Sequence, residues 1–289
     1  MNKNQKCLLT ILLCMMALIF FIAVADAKAG ANNITARSAI IIDPQDNNTV
    51  IYGKNLHHMQ PPASTQKLIA AMIFVERLRG DDNITISKNA AHTPSIAPHL
   101  KEGEQYTVHA LLCLVLERSI NGAAVALAEA VAGSEEAFVV LMNDKATRLG
   151  LKDTKFINAS GLPGYGQYTN VADLALLAKE ALKYPLIREV ITTKNNQITT
   201  INNNRTLSLI NTNRLLQEDK TNNFLGGKTG YTNAAKHCLV FGFMIGNDPV
   251  IIAILGSSSR HELWQDAKNL IKIASQKLKK PEAQVYASN

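Results

Sequence analysis

The chain predicts an α+β fold, an antiparallel sheet with a block of helices set into it. Strand patterns lie near both ends of the sequence, at 38–52 and 225–255. Between the first of these and about residue 182 the longer apolar patterns have helical spacing. An amphipathic helix closes the chain. This order, strands then helices then strands then a helix, is expected when the first and last strands pair in one antiparallel sheet and the helices form an insertion beside it. No internal repeat is visible, and no linker is long or polar enough to separate two independent domains.

Residues Met1 to Ala27 have the pattern of an export signal. Lys3 and Lys6 give a positive start, Leu8 to Val24 is apolar except for Thr10, and Ala25-Asp26-Ala27 places small residues where a signal peptidase reads. Cleavage near Ala27 is expected, with residues 28–289 forming one exported domain in the periplasm or cell envelope. An uncleaved anchor is the alternative, because an apolar run of about 17 residues lies at the lower edge of a membrane span. No second long apolar run occurs, so membrane contact elsewhere is at most peripheral. Of four cysteines, Cys7 and Cys14 lie in the signal. Cys113 and Cys238 sit in apolar runs and read as two buried thiols, a single bridge being the alternative. The net charge of +7 is spread along the chain apart from Lys277-Leu278-Lys279-Lys280. It reads as solubility, and no aromatic-interleaved basic patch suggests nucleic acid.

Ser38–Ile42 and Thr49–Tyr52 read as strands joined by the turn-rich Asp43–Asn48. A helix follows Pro61-Pro62 and runs to about Arg79, stopped by Gly80-Asp81-Asp82-Asn83. Further helices are expected at Val108–Leu116, Ala123–Val131 and Ser134–Leu149, with Ser134 as cap and Gly150 as stop. Asn170 caps a helix over Val171–Leu182, which Pro185 ends. Gln197–Ile201 and Thr206–Ile210 alternate as short strands. Leu225–Thr229, His237–Ile245 and Val250–Leu255 are longer strand signals, with Asn247-Asp248 as the turn between the last two. Glu262–Lys279 is the closing helix, with Leu263, Ala267, Leu270, Ile271 and Ala274 on one face.

The chemistry centres on Pro62-Ala63-Ser64-Thr65-Gln66-Lys67. Proline is tolerated in a first helical turn, so Ser64 is expected in that turn with Lys67 one turn later on the same face. A serine hydroxyl needs a base to become a nucleophile. A lysine can serve when burial, a second cation and the positive end of a helix lower its pKa. The same helix end offers N–H groups to an oxyanion. A lone Ser-x-x-Lys is far more often a cap beside a solvated amine, since both residues are common. Two further clusters weigh against that reading: Ser119-Ile120-Asn121 after a helix end, and Lys228-Thr229-Gly230 on a glycine-flanked strand. Each is weak alone; their combination and order form the motif set of penicillin-binding proteins and related β-lactamases.

On these motifs the sequence resembles the D-alanyl-D-alanine carboxypeptidase family, the low-molecular-mass penicillin-binding proteins (serine peptidases of the S11 type). The likeness extends through Leu149–Asn158, Gly161-Leu162 and Tyr168–Leu174, and covers nearly all of Ser38 to Lys279. It implies a β-lactamase/transpeptidase-like fold with an inserted all-helical subdomain. The implied substrates are peptidoglycan peptides ending in D-Ala-D-Ala, with β-lactams as covalent inhibitors and no cofactor. Carried over residue by residue, the resemblance makes Ser64 the nucleophile, Lys67 the base and Ser119 the proton relay. Asn121 would hold Lys67 and the substrate amide. Lys228 would keep Lys67 neutral and attract the terminal carboxylate, Thr229 of the Lys228-Thr229-Gly230 strand would bond that carboxylate, and the N–H groups of Ser64 and Tyr231 would form the oxyanion hole.

The sequence departs from the family at several points. Ile120 stands where many members have glycine, and Tyr231 where histidine is frequent. The upstream arginine of some carboxypeptidases is matched by Thr212, with Arg214 nearby. No β-rich second domain is expected before Asn289, which resembles the shorter endopeptidase-type members, so cutting of cross-links is an alternative to carboxypeptidase action. No glutamate lies between Arg148 and Lys179 to activate a deacylating water, so a class A β-lactamase is excluded and slow loss of bound penicillin is expected. A serine esterase and a non-catalytic wall-binding protein are further alternatives. Metal catalysis is not expected, since His57-His58 cannot share one face and no His-Glu-x-x-His occurs.

Overall fold

Five strands in the order β2-β1-β9-β8-β7 make one fully antiparallel sheet from both ends of the chain: Ser38–Asp43 (β1), Thr49–Lys54 (β2), Phe224–Thr232 (β7), Lys236–Ile245 (β8) and Asp248–Ser257 (β9). The computed structural model describes residues 33–278. The export signal at Met1 to Ala27, with Cys7 and Cys14, and the final Lys279-Lys280 lie outside the described residues. In sequence between the two edge strands, β2 and β7, lie the helices Lys67–Arg77 (α1), Lys88–His92 (α2), Val108–Leu116 (α3), Asn121–Ala132 (α4), Glu135–Arg148 (α5), Val171–Ala181 (α6) and Pro185–Thr192 (α7). Arg214–Glu218 (α8) precedes β7, and Arg260–Lys277 (α9) closes the described chain.

Alternation along the central strands divides the core between the two faces. Ile40, Ile42, Val240, Ile251, Ala253 and Leu255 join one cluster with α1, α3, α4 and α6. Their neighbours Ile41, Leu239, Phe241, Ile252 and Ile254 are equally buried but lie outside that cluster. They point to the other face, and α9 packs on β8 and β9 with Leu263, Ala267, Leu270 and Ala274 buried. Helix α1 runs through the middle of the helical block. Every residue from Lys67 to Phe74 is buried, and the helix packs on α3, α4, α5 and α6.

Most local signals act as the sequence suggests. Asp43 Oδ1 accepts from Gln45 N and Asp46 N to start the β1–β2 turn. Ser134 and Asn170 cap α5 and α6 by accepting from Ala137 N and Asp173 N. Gly150, at φ +73°, ends α5. The corrections are local too. Ser64 lies in a 3-10 turn over Ala63–Gln66, and α-helix begins only at Lys67 and ends at Arg77. Helix α4 starts at Asn121, and α9 starts at Arg260 because Ser259 caps it. The β8–β9 turn is Gly246-Asn247, one residue earlier than expected, since Ile245 pairs with Asp248 and Gly246 takes φ +61°. Asn195–Thr199 (β5) pairs with Thr206–Ile210 (β6), so β5 lies two residues N-terminal to its expected range. Three-residue strands at Asn83–Thr85 (β3) and Gln105–Thr107 (β4), and the one-turn helices α2 and α8, were too short to carry a periodic signal. Cys113 and Cys238 are both free and buried. Among the described residues, no helix is long and apolar enough to cross a membrane.

Candidate active site

The turn that carries Ser64 is built by close backbone packing. Pro62 leads in, Ala63 takes φ +49°, and Thr65 Oγ1 donates to Pro62 O at 2.6 Å. The three-residue spacing then brings Lys67 Nζ to 2.8 Å from Ser64 Oγ. Lys67 Nζ also donates to Asn121 Oδ1 at 2.6 Å and to Ser160 O at 2.5 Å. Sequence reasoning did not assign Ser160. It acts through its carbonyl and is held by Asn158, whose Oδ1 accepts from Ser160 N and Gly161 N while Asn158 O accepts from Gln66 Nε2.

This geometry decides where a neutral amine would aim its lone pair. Asn121 Nδ2 donates to Pro94 O at 2.7 Å, which fixes the amide with Oδ1 facing Lys67. Asn121 Oδ1 and Ser160 O can only accept. A neutral lysine has two N–H bonds, and these two acceptors take them. The lone pair is left for the one partner that can donate, the Ser64 hydroxyl.

The charge state follows from burial. Lys67 is fully buried and Lys228 is 1 % exposed. Burial first, and the charge of Lys228 second, hold the Lys67 amine well below the usual lysine range. Burial also brings Lys228 down to about 7, and its Nζ donates to Thr229 O at 3.1 Å.

Ser64, Ser119, Asn121, Thr229, Gly230 and Tyr231 line one cleft of about 390 Å³. Lys67 and Lys228 are buried rather than part of its wall. Ile96, Thr212, His237, Arg260, Leu263 and Trp264 complete the lining. Thr212 Oγ1 and Thr229 Oγ1 share a hydrogen bond of 2.7 Å. Tyr231 is half exposed and its ring lies 4.5 Å from that of His237, its partner across β7 and β8. His237 is held below its usual pKa by partial burial and by the nearby Arg260 and Lys236, so the ring is neutral at pH 7. Arg214 does not line the cleft and pairs with Glu218 instead. The cleft's arginine is Arg260, which comes from α9 and carries no local motif.

Two glycines permit the approach of three chain segments. A Cβ on Gly230 would stand 2.9 Å from Ser64 N, so β7 passes directly beside the Ser64 N–H. At Gly161, with φ +86°, a Cβ would lie 2.1 Å from Ala63 O. Gly161→Ala is therefore expected to destabilise the protein by about 2 kcal/mol or more. It should also displace Ser160 O from Lys67. Thermal unfolding would check this, and an unchanged midpoint would contradict it.

A two-faced antiparallel sheet, an inserted helical block, and a serine and lysine beneath a cleft edged by a Lys-Thr-Gly strand define the β-lactamase/transpeptidase-like class. The sequence model of the peptidase S11 family, described as D-alanyl-D-alanine carboxypeptidase, matches residues 25–259. The chain belongs to this family. It is 36% identical over 276 residues to the D-alanyl-D-alanine carboxypeptidase DacF of Bacillus subtilis (strain 168), covering 89% of this chain and 68% of that protein. It is 33% identical over 250 residues to a D-alanyl-D-alanine endopeptidase of Escherichia coli (strain K12), covering 85% and 79%. Among solved structures, an arginine-to-leucine mutant of the Streptomyces K15 DD-transpeptidase superposes with a TM-score of 0.78 at 30% identity, covering 86% of this chain and 99% of that one.

Proposed function

We propose that Ser64 is the nucleophile of a serine DD-peptidase that acts on peptidoglycan peptides ending in D-Ala-D-Ala through an acyl-enzyme. The observation that carries the assignment is the coordination of Lys67 Nζ by Asn121 Oδ1, Ser160 O and Ser64 Oγ. Ser64 Oγ attacks the carbonyl carbon of the penultimate D-alanine as its proton passes to Lys67. The N–H groups of Ser64 and Tyr231 receive the oxyanion, and losing one such donor typically costs about a hundred- to a thousandfold. Ser119 relays a proton to the leaving nitrogen, the C–N bond breaks, and the terminal D-alanine departs. Water then hydrolyses the ester. Lys228 and Thr229 hold the terminal carboxylate on the β7 side, and Asn121 orients the substrate amide. β-Lactams would enter the same path and stop at the acyl stage. The site lies in a single catalytic domain, exported after removal of the signal.

A carboxypeptidase reaction is the main reading. Cutting of cross-links is the second, favoured by the endopeptidase relative, of whose length the chain covers 79%. Purified protein is expected to take labelled penicillin on Ser64, seen by mass spectrometry of the peptide, and to release D-alanine from a pentapeptide. Monomeric and dimeric muropeptides compared side by side would rank the two reactions. A protein that carries no adduct on Ser64 and releases no D-alanine would sink the assignment.

A further inference from the structure

Ser119 sits at φ +63°, in the left-handed region that serine seldom occupies. Such a conformation persists only where its surroundings fix it. Asn121 provides one anchor: its N–H donates to Ser95 Oγ at 3.0 Å and its Nδ2 to Pro94 O at 2.7 Å. The other anchor comes from the residue just before Ser119. The Arg118 guanidinium donates to Ala97 O at 3.0 Å and to Ile210 O at 3.2 Å.

Those two carbonyls belong to separate segments of the cleft wall. Ala97 follows Ile96, which lines the cleft. Ile210 ends β6 and stands two residues before Thr212, which bonds Thr229. Glu117 reinforces the second tie. Its O accepts from Thr212 N at 3.0 Å, and its buried Oε1 accepts from Asn196 Nδ2 at 3.0 Å. The segment 117–118 thus joins the Pro94–Ala97 loop, the β5–β6 hairpin and the Ser119 motif.

We propose that Arg118 is a positioning residue: its two hydrogen bonds hold the Pro94–Ala97 loop and the end of β6 at a fixed spacing, and so keep Asn121 on Lys67 and Ile96 and Thr212 at the cleft. The inference rests on the serine-peptidase reading above. Arginine suits the task because its planar fork reaches two acceptors at once, whereas a lysine ammonium is a point donor. Displacement of a catalytic group by about 1 Å can cost on the order of a hundredfold in rate.

The test uses the purified protein, Arg118→Gln and Arg118→Lys. Turnover of a D-Ala-D-Ala peptide is expressed per site titrated by penicillin, which removes any misfolded fraction. In Arg118→Gln, kcat and the single-turnover rate of penicillin acylation are expected to fall together by about tenfold to a hundredfold. KM should stay within about threefold, and Arg118→Lys should recover part of the loss. A merely structural role would lower the unfolding midpoint and leave kcat per titrated site unchanged, which would overturn the proposal. A raised KM with unchanged kcat would overturn it as well. If Arg118→Gln does not fold, Arg118→Lys decides: kcat at least about threefold below wild type supports the proposal, and kcat equal to wild type rejects it. The wild-type control separates the two claims, because wild-type protein with neither turnover nor adduct defeats the peptidase reading itself.

Discussion

Lys67→Met is expected to slow acylation of Ser64 by penicillin by about a thousandfold or more. The methionine chain has a similar length and fills the same buried space, so the change removes the amine and little else. A positioned general base contributes about 10²- to 10⁴-fold, and among the described residues Lys67 is the only group bonded to Ser64 Oγ apart from a carbonyl, Ser160 O at 3.4 Å. That carbonyl can orient the hydroxyl but is no base for it. The variant should still fold. Asn121 Oδ1 and Ser160 O lose a donor, at about 1–3 kcal/mol for a buried group left unpaired, while the cost of burying an amine disappears. Substrate affinity should change little, since Lys67 lies beneath the cleft rather than in its wall. Single-turnover acylation followed by mass spectrometry, with the unfolding midpoint as control, measures this. Acylation within tenfold of wild type would remove Lys67 from the role of base.

The parts of this site that could be read in the sequence are those whose chemistry demands a side chain. Ser64, Lys67, Ser119, Asn121, Lys228 and Thr229 lie in three short motifs, and the fold brings them to one place. The oxyanion N–H groups of Ser64 and Tyr231 were assigned only through the family resemblance, and the other groups that act through the main chain or arrive from distant elements left no comparable trace. Ser160 contributes a carbonyl, so its identity carries no signal; the nearest clue was Gly161, whose backbone must pass within reach of Ala63. His237 and Arg260 reach the cleft from β8 and α9, and nothing in their local sequence points to it. Arg214 lies near Thr212 in sequence, which left its part in carboxylate binding open, and α8 turns its side chain to Glu218. The large elements were readable for a related reason. Periodicity over nine or more residues averages out local noise, as in α3, α5 and the β7–β9 meander. The 3-10 turn that carries Ser64 combines a local Thr65–Pro62 bond with the distant backbone of Gly161 against Ala63, so local propensity could not distinguish it from a first α-turn.

Lys228→Gln should lower kcat/KM for a D-Ala-D-Ala peptide by about a hundredfold or more, and it should move the pH profile in a way that separates two roles. One is attraction of the carboxylate, where loss of a buried charge-assisted contact costs about 2–5 kcal/mol. The other acts on Lys67. The charge of Lys228 is the second cause, after burial, of the lowered Lys67 pKa. Without it the Lys67 pKa rises, so the acid limb of penicillin acylation shifts to higher pH. The alkaline limb tells the same story from the other side. With no substrate bound, Lys228 loses its proton near 7, so wild-type kcat/KM, which reports the free enzyme, should decline above that point. The limb in kcat should lie higher, because a bound carboxylate favours the ammonium form. Stability provides an independent check. A lysine whose pKa is lowered on folding contributes stability that is complete above the unfolded value of 10.5 and is lost as pH falls to the folded value near 7. Measured against Lys228→Gln, wild-type protein should therefore gain stability across that window. An acid limb that stays in place in the variant would mean that burial alone sets the state of Lys67, leaving Lys228 with the carboxylate only.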